Sequence, residues 1–273
     1  MSEDLILTAT KNGVRTLTMN LPKRLNGWTL EMMAAKRAAF AEAAADPAVK
    51  VLVLTGTDPY YSAGVNLGST IKLKPPRAMH ALIVEHNEAL FATFINFPKP
   101  ILAAVNGPAF GATATSATLC DGLIASERAT FSTPFARLGV SPEGCSSVIF
   151  ERLMGAEAAA RMLGPEGWAP TGQEAFDVGL AQWVVPHEAL LERAQAIAEE
   201  WIAAGKTRTF RAGATREELT AINARESVGV ADSFLGAPFL GGQFRFLWSR
   251  KKRGPALMFL ALKTTRPVWG RFL

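Results

Sequence analysis

The stretch that most limits how this chain can fold runs from Lys99 to Ser147. It opens on a short apolar run, Ile101 to Val105, closed by Asn106, Gly107 and Pro108. That pattern reads as a buried strand ending in a turn. Phe110-Gly111-Ala112-Thr113 then leads into small, helix-compatible residues up to Leu119. A strand that breaks at glycine and opens a helix leaves backbone N–H groups without intrahelical partners, at an end carrying partial positive charge. Such an end suits a developing oxyanion. The same stretch closes on a lone carboxylate, Glu143, set between Pro142 and Gly144 among apolar and small residues. An anion site and one base are the minimum equipment for moving a proton next to a carbonyl.

The rest of the chain supplies an α/β frame for this stretch. Leu5 to Thr8 and Val14 to Met19 alternate as paired strands, with Lys11-Asn12-Gly13 as the hairpin turn. Leu21 to Gly27 reads as a loop, after which Thr29 caps a helix to about Ala45 with Met32, Ala35 and Phe40 facing inward. Val51 to Leu54 is a buried strand, and Tyr60 to Leu67 a second strand-to-glycine break, followed by a Pro-containing link at Lys72 to Pro76. A helix follows from about Ala78 to Asn96, then short strands at Gly122–Ala125, Thr130–Ser132 and Trp183–Val185. Helical pieces after Pro142 are punctuated at Gly155, Gly164 and Gly179, and a helix runs from His187 to about Ala204. Ser141, Pro142 and Glu143 also read as the cap and first turn of a helix, where a glutamate favours the dipole. Gly241-Gly242 is the expected hinge of the C-terminal part. The β-α-β order indicates a layered core.

Composition narrows the function. With 49% hydrophobic and 19% charged residues, the chain of 273 belongs with globular proteins large enough for a sizeable core. Two cysteines, Cys120 and Cys145, imply no disulfide framework and a reducing compartment. No apolar run reaches membrane-spanning length, and the N-terminus lacks the form of a secretory signal, so the expectation is a soluble, cytoplasmic protein. The C-terminal Arg271-Phe-Leu does not match a peroxisomal address. The net charge of +5 lies in the tail: after Asp232 there is no carboxylate but eight cations, including Arg250 to Arg253. This cluster suits phosphates of a nucleotide-like ligand, nucleic acid, or a solvated surface. No zinc-type cysteine spacing or phosphate-cradling lysine loop occurs.

Four glycine-containing segments in order carry a resemblance. They are L-P-K-R-L-N-G (Leu21 to Gly27), Y-S-A-G-V-N-L (Tyr61 to Leu67), K-P-I-L-A-A-V-N-G-P-A-F-G (Lys99 to Gly111) and G-L-A-Q-W-V-V-P (Gly179 to Pro186). Over roughly residues 5 to 230 the chain resembles the crotonase (enoyl-CoA hydratase/isomerase) superfamily. Thr130 to Ser147, T-F-S-T-P-F-A-R-L-G-V-S-P-E-G-C-S-S, is similar to the peroxisomal type of Δ3,Δ2-enoyl-CoA isomerase. The resemblance implies a crotonase-like (ClpP/crotonase) fold of repeated ββα units over residues 1–200. It also implies a helical region over 201–273, serving trimerisation or as a lid and ending in the basic tail. Trimers or pairs of trimers are the implied assembly, and fatty-acid β-oxidation the implied setting. An acyl-CoA thioester is the implied partner, with no separate cofactor, no metal, no membrane and no nucleic acid expected.

By the same resemblance, the amides of Val65 and Ala112 would hold the thioester oxygen. Donors so placed are worth about 3–4 kcal/mol each in comparable sites. Glu143 would be the single acid/base, taking a proton from C2 of a 3-enoyl thioester and returning one at C4, in an apolar pocket that lifts its pKa towards neutrality. Lys23, Arg24 and Leu25 would flank the adenine and phosphates of CoA. Ala63, Gly64, Asn66, Leu67 and Gly111 would shape the pantetheine slot. Phe135, Tyr60 and Tyr61 read as pocket walls or plain core, and Lys251 of the basic tail would reach the CoA 3′-phosphate. The two carboxylates that hydratases use fall on Thr115 and Phe135, which argues against hydration. His80, His86 and His187 receive no chemistry, and Trp28 and Trp248 read as core or interface. The competing readings are hydration by a non-standard base, another crotonase-family reaction, and a non-catalytic CoA- or RNA-binding scaffold.

Overall fold

The computed structural model of the chain describes residues 4–65 and 74–273. Its first elements are strands β1 (Ile6–Lys11), β2 (Val14–Met19) and β3 (Val51–Gly56), with helix α1 (Leu30–Ala45) between the last two. Helix α2 (Pro76–Ile95) leads to β4 (Ile101–Val105), β5 (Ala109–Phe110) and α3 (Ala112–Thr118). Strands β6 (Gly122–Ser126) and β7 (Phe131–Ser132) precede α4 (Phe135–Leu138), α5 (Ser146–Leu163) and α6 (Gly172–Asp177). Strand β8 (Trp183–Val185) and helices α7 (Leu190–Ala203), α8 (Arg216–Phe234), α9 (Ala237–Ser249) and α10 (Arg253–Trp269) complete the chain.

The main sheet has six strands in the order β1-β2-β3-β4-β6-β8, and β5 pairs with β7 in a small second sheet. Only β1 and β2 are antiparallel, joined through Asn12 and Gly13, both at positive φ as a tight hairpin requires. The other pairs are parallel, each strand reached through a helical crossover. β3, β4 and β6 are buried along their whole length, which is why they read as unbroken apolar runs. Helix α1 begins where Thr29 accepts the Met32 amide at 3.2 Å, as the sequence predicts. Met32 and Phe40 are buried, while Ala35 is only half-buried.

Two expectations are corrected, the Gly241-Gly242 hinge and the helix start at Ser141 to Glu143, and one buried lysine is new. Lys36, not anticipated in the interior, is fully buried on α1: its Nζ lies 3.2 Å from the Trp28 ring centroid and has no hydrogen-bond partner among the described residues. Gly241 and Gly242 lie inside α9, and the chain turns instead at Arg250–Lys252, where Lys251 has φ of 60°. Gly241 serves close packing, since a Cβ there would sit 3.2 Å from Lys263 Nζ on α10. Ser141, Pro142 and Glu143 do not start a helix: α5 begins at Ser146, after Gly144 and Cys145 both take left-handed backbone. Trp248 is exposed, unlike the fully buried Trp28. The break at Gly155 stands, with φ of 80° inside α5.

Most buried side chains form one cluster between the sheet and helices α1, α2, α3 and α5, and Leu219 and Ile222 bring α8 into it. A second cluster packs α7 against the other face of the sheet. A third, smaller one holds α9 to α10 through Phe239, Leu240 and Phe259. The segment between α7 and α8 is pinned by a buried ion pair, Arg208 to Asp121 at 2.5 Å, with Asp121 also accepting the Ile101 amide at 2.8 Å.

Candidate active site

The two glycine breaks meet. Ser62 bridges Ala109 in parallel, the Phe110 amide donates to Ser62 O at 3.0 Å, and Val65 bridges Trp28. Asn26 holds the approach: its side-chain amide donates to Thr57 O at 2.6 Å and Tyr60 O at 2.7 Å, while its backbone carbonyl accepts Ser62 Oγ at 2.7 Å. The Asn-Gly of the first motif is therefore a clasp for the second. Gly64 has φ of 80°, and a Cβ on it would lie 2.6 Å from the Phe110 carbonyl oxygen, so only glycine lets the breaks close together. Gly111 caps α3 at φ 54° and ψ −125°, a conformation reserved for glycine. Helix α3 has only 7 residues, so its first amide rather than a long dipole is what the turn presents. Neither Val65 N nor Ala112 N donates a backbone hydrogen bond among the described residues.

Both residues border a cavity of about 690 Å³. Ala63, Gly64, Gly111, Phe135 and Glu143 line it too, so the structure gathers most of the expected site residues around one space. Its other walls are largely apolar, and α9 and α10 close over it through Phe239, Leu240, Phe259, Leu262 and Trp269. Glu143 is the sole carboxylate among the described lining residues; Lys74 and His86 are the other ionisable ones. It is buried, and its pKa is pushed up to about 7, first by loss of hydration and also by the nearby Glu226 charge, against the hydrogen bond it receives. That bond comes from Asn87 on α2, whose Nδ2 donates to Glu143 Oε2 at 2.7 Å. Asn87 is itself oriented by Ser227 on α8, whose Oγ donates to Asn87 Oδ1 at 2.8 Å.

Other expected residues fall elsewhere. Asn66 and Leu67 lie outside the described residues. Lys23 and Arg24 stand exposed on a single 3-10 turn, and Leu25 follows at φ 54°, tied by its carbonyl to the Ala63 amide at 2.9 Å. None of these three lines the cavity, and neither does Lys251 in the α9–α10 turn. Tyr61 is plain core, fully buried, whereas Tyr60 stacks on Phe110 with ring centroids 6.3 Å apart. Thr115 is buried, its Oγ1 donating to Ala112 O at 3.3 Å, and Phe135 presents a ring, so neither hydratase position carries a carboxyl group. His80 pairs with Asp232 at 3.0 Å. His187 ties strand ends together, near Ser126 Oγ at 3.1 Å and Asp58 Oδ2 at 3.0 Å, away from the cavity.

Sequence reasoning missed Asn87, Glu226 and Ser227. Their signal was present but quiet. Asn87 shares a helical face with Leu90, Phe91 and Phe94, and Glu226 and Ser227 share one with Leu219, Ile222 and Val230. A polar residue at the spacing of a buried stripe is either a satisfied core group or part of a site.

A main sheet crossed by helices, paired glycine turns beside one buried carboxylate and a helical cap together make the crotonase fold. A structure of an enoyl-CoA hydratase/isomerase from Pseudoalteromonas atlantica superposes with a TM-score of 0.74 at 24% identity, over 90% of this chain and 97% of that one. The sequence matches the family described as Enoyl-CoA hydratase/isomerase over residues 9–227, and the chain belongs to that family. Rat enoyl-CoA delta isomerase 2 is 40% identical over 184 residues, 66% of this chain and 46% of the relative. Human chromodomain Y-like protein is 37% identical over 161 residues, 58% of this chain and 27% of the relative. The chain thus spans less than half the length of either relative.

Proposed function

We propose that this chain moves the double bond of a 3-enoyl-CoA thioester into conjugation, giving the trans-2-enoyl-CoA. The observation that carries the reading is the single buried carboxylate in an apolar cavity, held by Asn87 and titrating near neutrality. Ionised Glu143 takes a proton from C2. The C–H electron pair forms the C1–C2 double bond, and the thioester oxygen becomes an enolate that the Val65 and Ala112 amides stabilise. The same carboxyl, now protonated, delivers its proton to C4 of the dienolate, and the double bond settles between C2 and C3. No atoms are gained or lost, so one residue suffices.

Hydration would need a group to activate water and another to deliver a proton, and the Thr115 and Phe135 positions provide neither. The decisive experiment pairs a 3-enoyl-CoA absorbance assay with calorimetric CoA binding in Glu143→Gln. Double-bond migration should fall by about three orders of magnitude, within the span of general-base effects, with CoA binding kept. Retained turnover would sink the assignment. The likeness to the chromodomain protein favours a second reading, a CoA-binding scaffold, which predicts binding without turnover in the unaltered chain.

Lys23, Arg24 and Leu25, beside Ala63, fit a CoA nucleotide lying across the mouth of the cavity, with Lys251 reaching it only from elsewhere in an assembly. Assembly as a trimer or pair of trimers is supported by the exposed Phe246, Leu257, Val268 and Phe272 of the C-terminal region. Sedimentation velocity tests it, a monomer at all concentrations refuting it. Among the described residues no helix is long and apolar enough to cross a membrane.

A further inference from the structure

The five residues Glu143 to Ser147 form a turn held from several sides. A Cβ on Gly144 would lie 2.5 Å from Thr115 Oγ1 and 2.6 Å from Phe91, so α3 and α2 press directly on the backbone. Ser146 Oγ donates to Glu143 O at 2.8 Å, and Cys145 Sγ contacts Leu219 O at 3.3 Å. The Ser146 amide donates to Glu143 O at 3.3 Å, and two other amides of the turn point at one side chain on α8. Cys145 N donates to Glu226 Oε2 at 2.6 Å, and Ser147 N donates to Glu226 Oε1 at 2.9 Å. Cys145 and Ser147 flank the start of α5, where amides have no intrahelical acceptor, and Cys145 caps the helix with no side-chain bond of its own. Glu226 takes over that capping role from 79 to 81 positions away in sequence.

We propose that Glu226 is a positioning residue for Glu143, clamping both amides of the left-handed turn so that the base meets the substrate in one fixed place. The inference rests on Glu143 being the base. Glu226 and Ser227 are neighbours on α8, so one turn of helix governs both ends of the base: its backbone through Glu226, and its carboxylate through Ser227 and Asn87. The carboxylate of Glu226 accepts with both oxygens and is buried, which suits an ionised group satisfied by charge-assisted bonds. Its negative charge also disfavours ionisation of Glu143. The other ionisable groups around the cavity are Lys74, ahead of α2, and His86 on α2. Burial pushes the Glu226 pKa up, against which the bonds from Ser147 and Cys145 and the neighbouring Arg225 charge favour its ionised form, while α9 and α10 offer only apolar side chains to the cavity.

The test compares Glu226→Gln and Glu226→Asp with the unaltered protein. A glutamine can accept only one of the two amides and presents a donor to the other. Glu226→Gln should lower kcat about tenfold or more with KM for a 3-enoyl-CoA little changed. It should also move the acid limb of the rate profile down by about half a pH unit or more. Glu226→Asp keeps the charge on a shorter arm, so the limb should stay in place while kcat falls less. A 13C-carboxyl NMR titration of Glu143 reads the same shift without turnover. A protein that shows this shift but no isomerisation would refute the isomerase reading and leave the placement of Glu226 standing. A folded Glu226→Gln with unaltered kcat, limb and titration overturns the proposal, as does a lowered melting temperature with those three unchanged. Should the glutamine variant not fold, the aspartate variant decides: a lower kcat at an unmoved limb supports the clamp, and unaltered kcat overturns it.

Discussion

Two walls of the same cavity are built in opposite ways. The wall that carries the chemistry, from Gly64 through Gly111 to the turn at Glu143, is fully packed and cross-linked by hydrogen bonds from elements far apart in sequence. The wall opposite, made by α9 and α10, has a small core of its own around Phe239, Leu240 and Phe259, and leaves Phe246, Leu257 and Val268 exposed. Rigid placement matters where a proton must move over a fraction of an ångström. A cover for an acyl chain needs only apolar area and can be held by a few local contacts. The difference teaches that precision and enclosure are supplied by separate parts of this fold.

The comparison breaks first at Gly64. Gly64→Ala places a methyl 2.6 Å from the Phe110 carbonyl at a φ of 80°, and should cost about 3 kcal/mol of stability together with most activity. Chemical denaturation measures it; a variant within about 0.5 kcal/mol of the parent would show that the two breaks are not rigidly joined. A test of the packed side alone is Lys36→Met, which replaces a buried amine that lies over the Trp28 ring, with no hydrogen-bond partner among the described residues, by an apolar side chain of similar length. It should stabilise by about 2 kcal/mol. Burial holds the Lys36 pKa well below an ordinary lysine's 10.5, so the unfolded chain binds the extra proton. Stability is therefore lost as pH falls below that value, and the gain from Lys36→Met should grow towards acid pH in thermal melts.

The smallest effect belongs to the cover. Leu262→Ala should cost under about 1 kcal/mol in stability yet raise KM for long-chain substrates several-fold, because Leu262 is half-buried and faces the cavity. Equal losses in kcat and KM would mean that α10 also places the reacting atoms. Activity of the unaltered protein sharpens the picture further. Glu143 has its pKa near 7 where an unfolded glutamate has about 4.5, so catalysis that needs the anion should rise through neutrality and level off above it. The sign for stability is the reverse: the folded state holds that proton longer, so the Glu143 contribution falls as pH rises from about 4.5 to about 7.

The sequence by itself determined the layered α/β frame, the helix capped at Thr29, the central strand at Ile101–Val105 and the glycines whose backbone no other residue could adopt. Those features are local, written in hydrophobic period, capping chemistry and positive φ, and they can be read within a dozen residues. The sequence also singled out Glu143, although its surroundings suggested a helix start that the structure does not form. Only the tertiary structure decided that Asn87, Glu226 and Ser227 stand around that carboxylate, that Lys36 lies under Trp28, and that α9 runs straight through Gly241-Gly242. The physical reason is distance along the chain. A buried polar group finds its partner on another helix, and no periodicity within either helix records which one it will be.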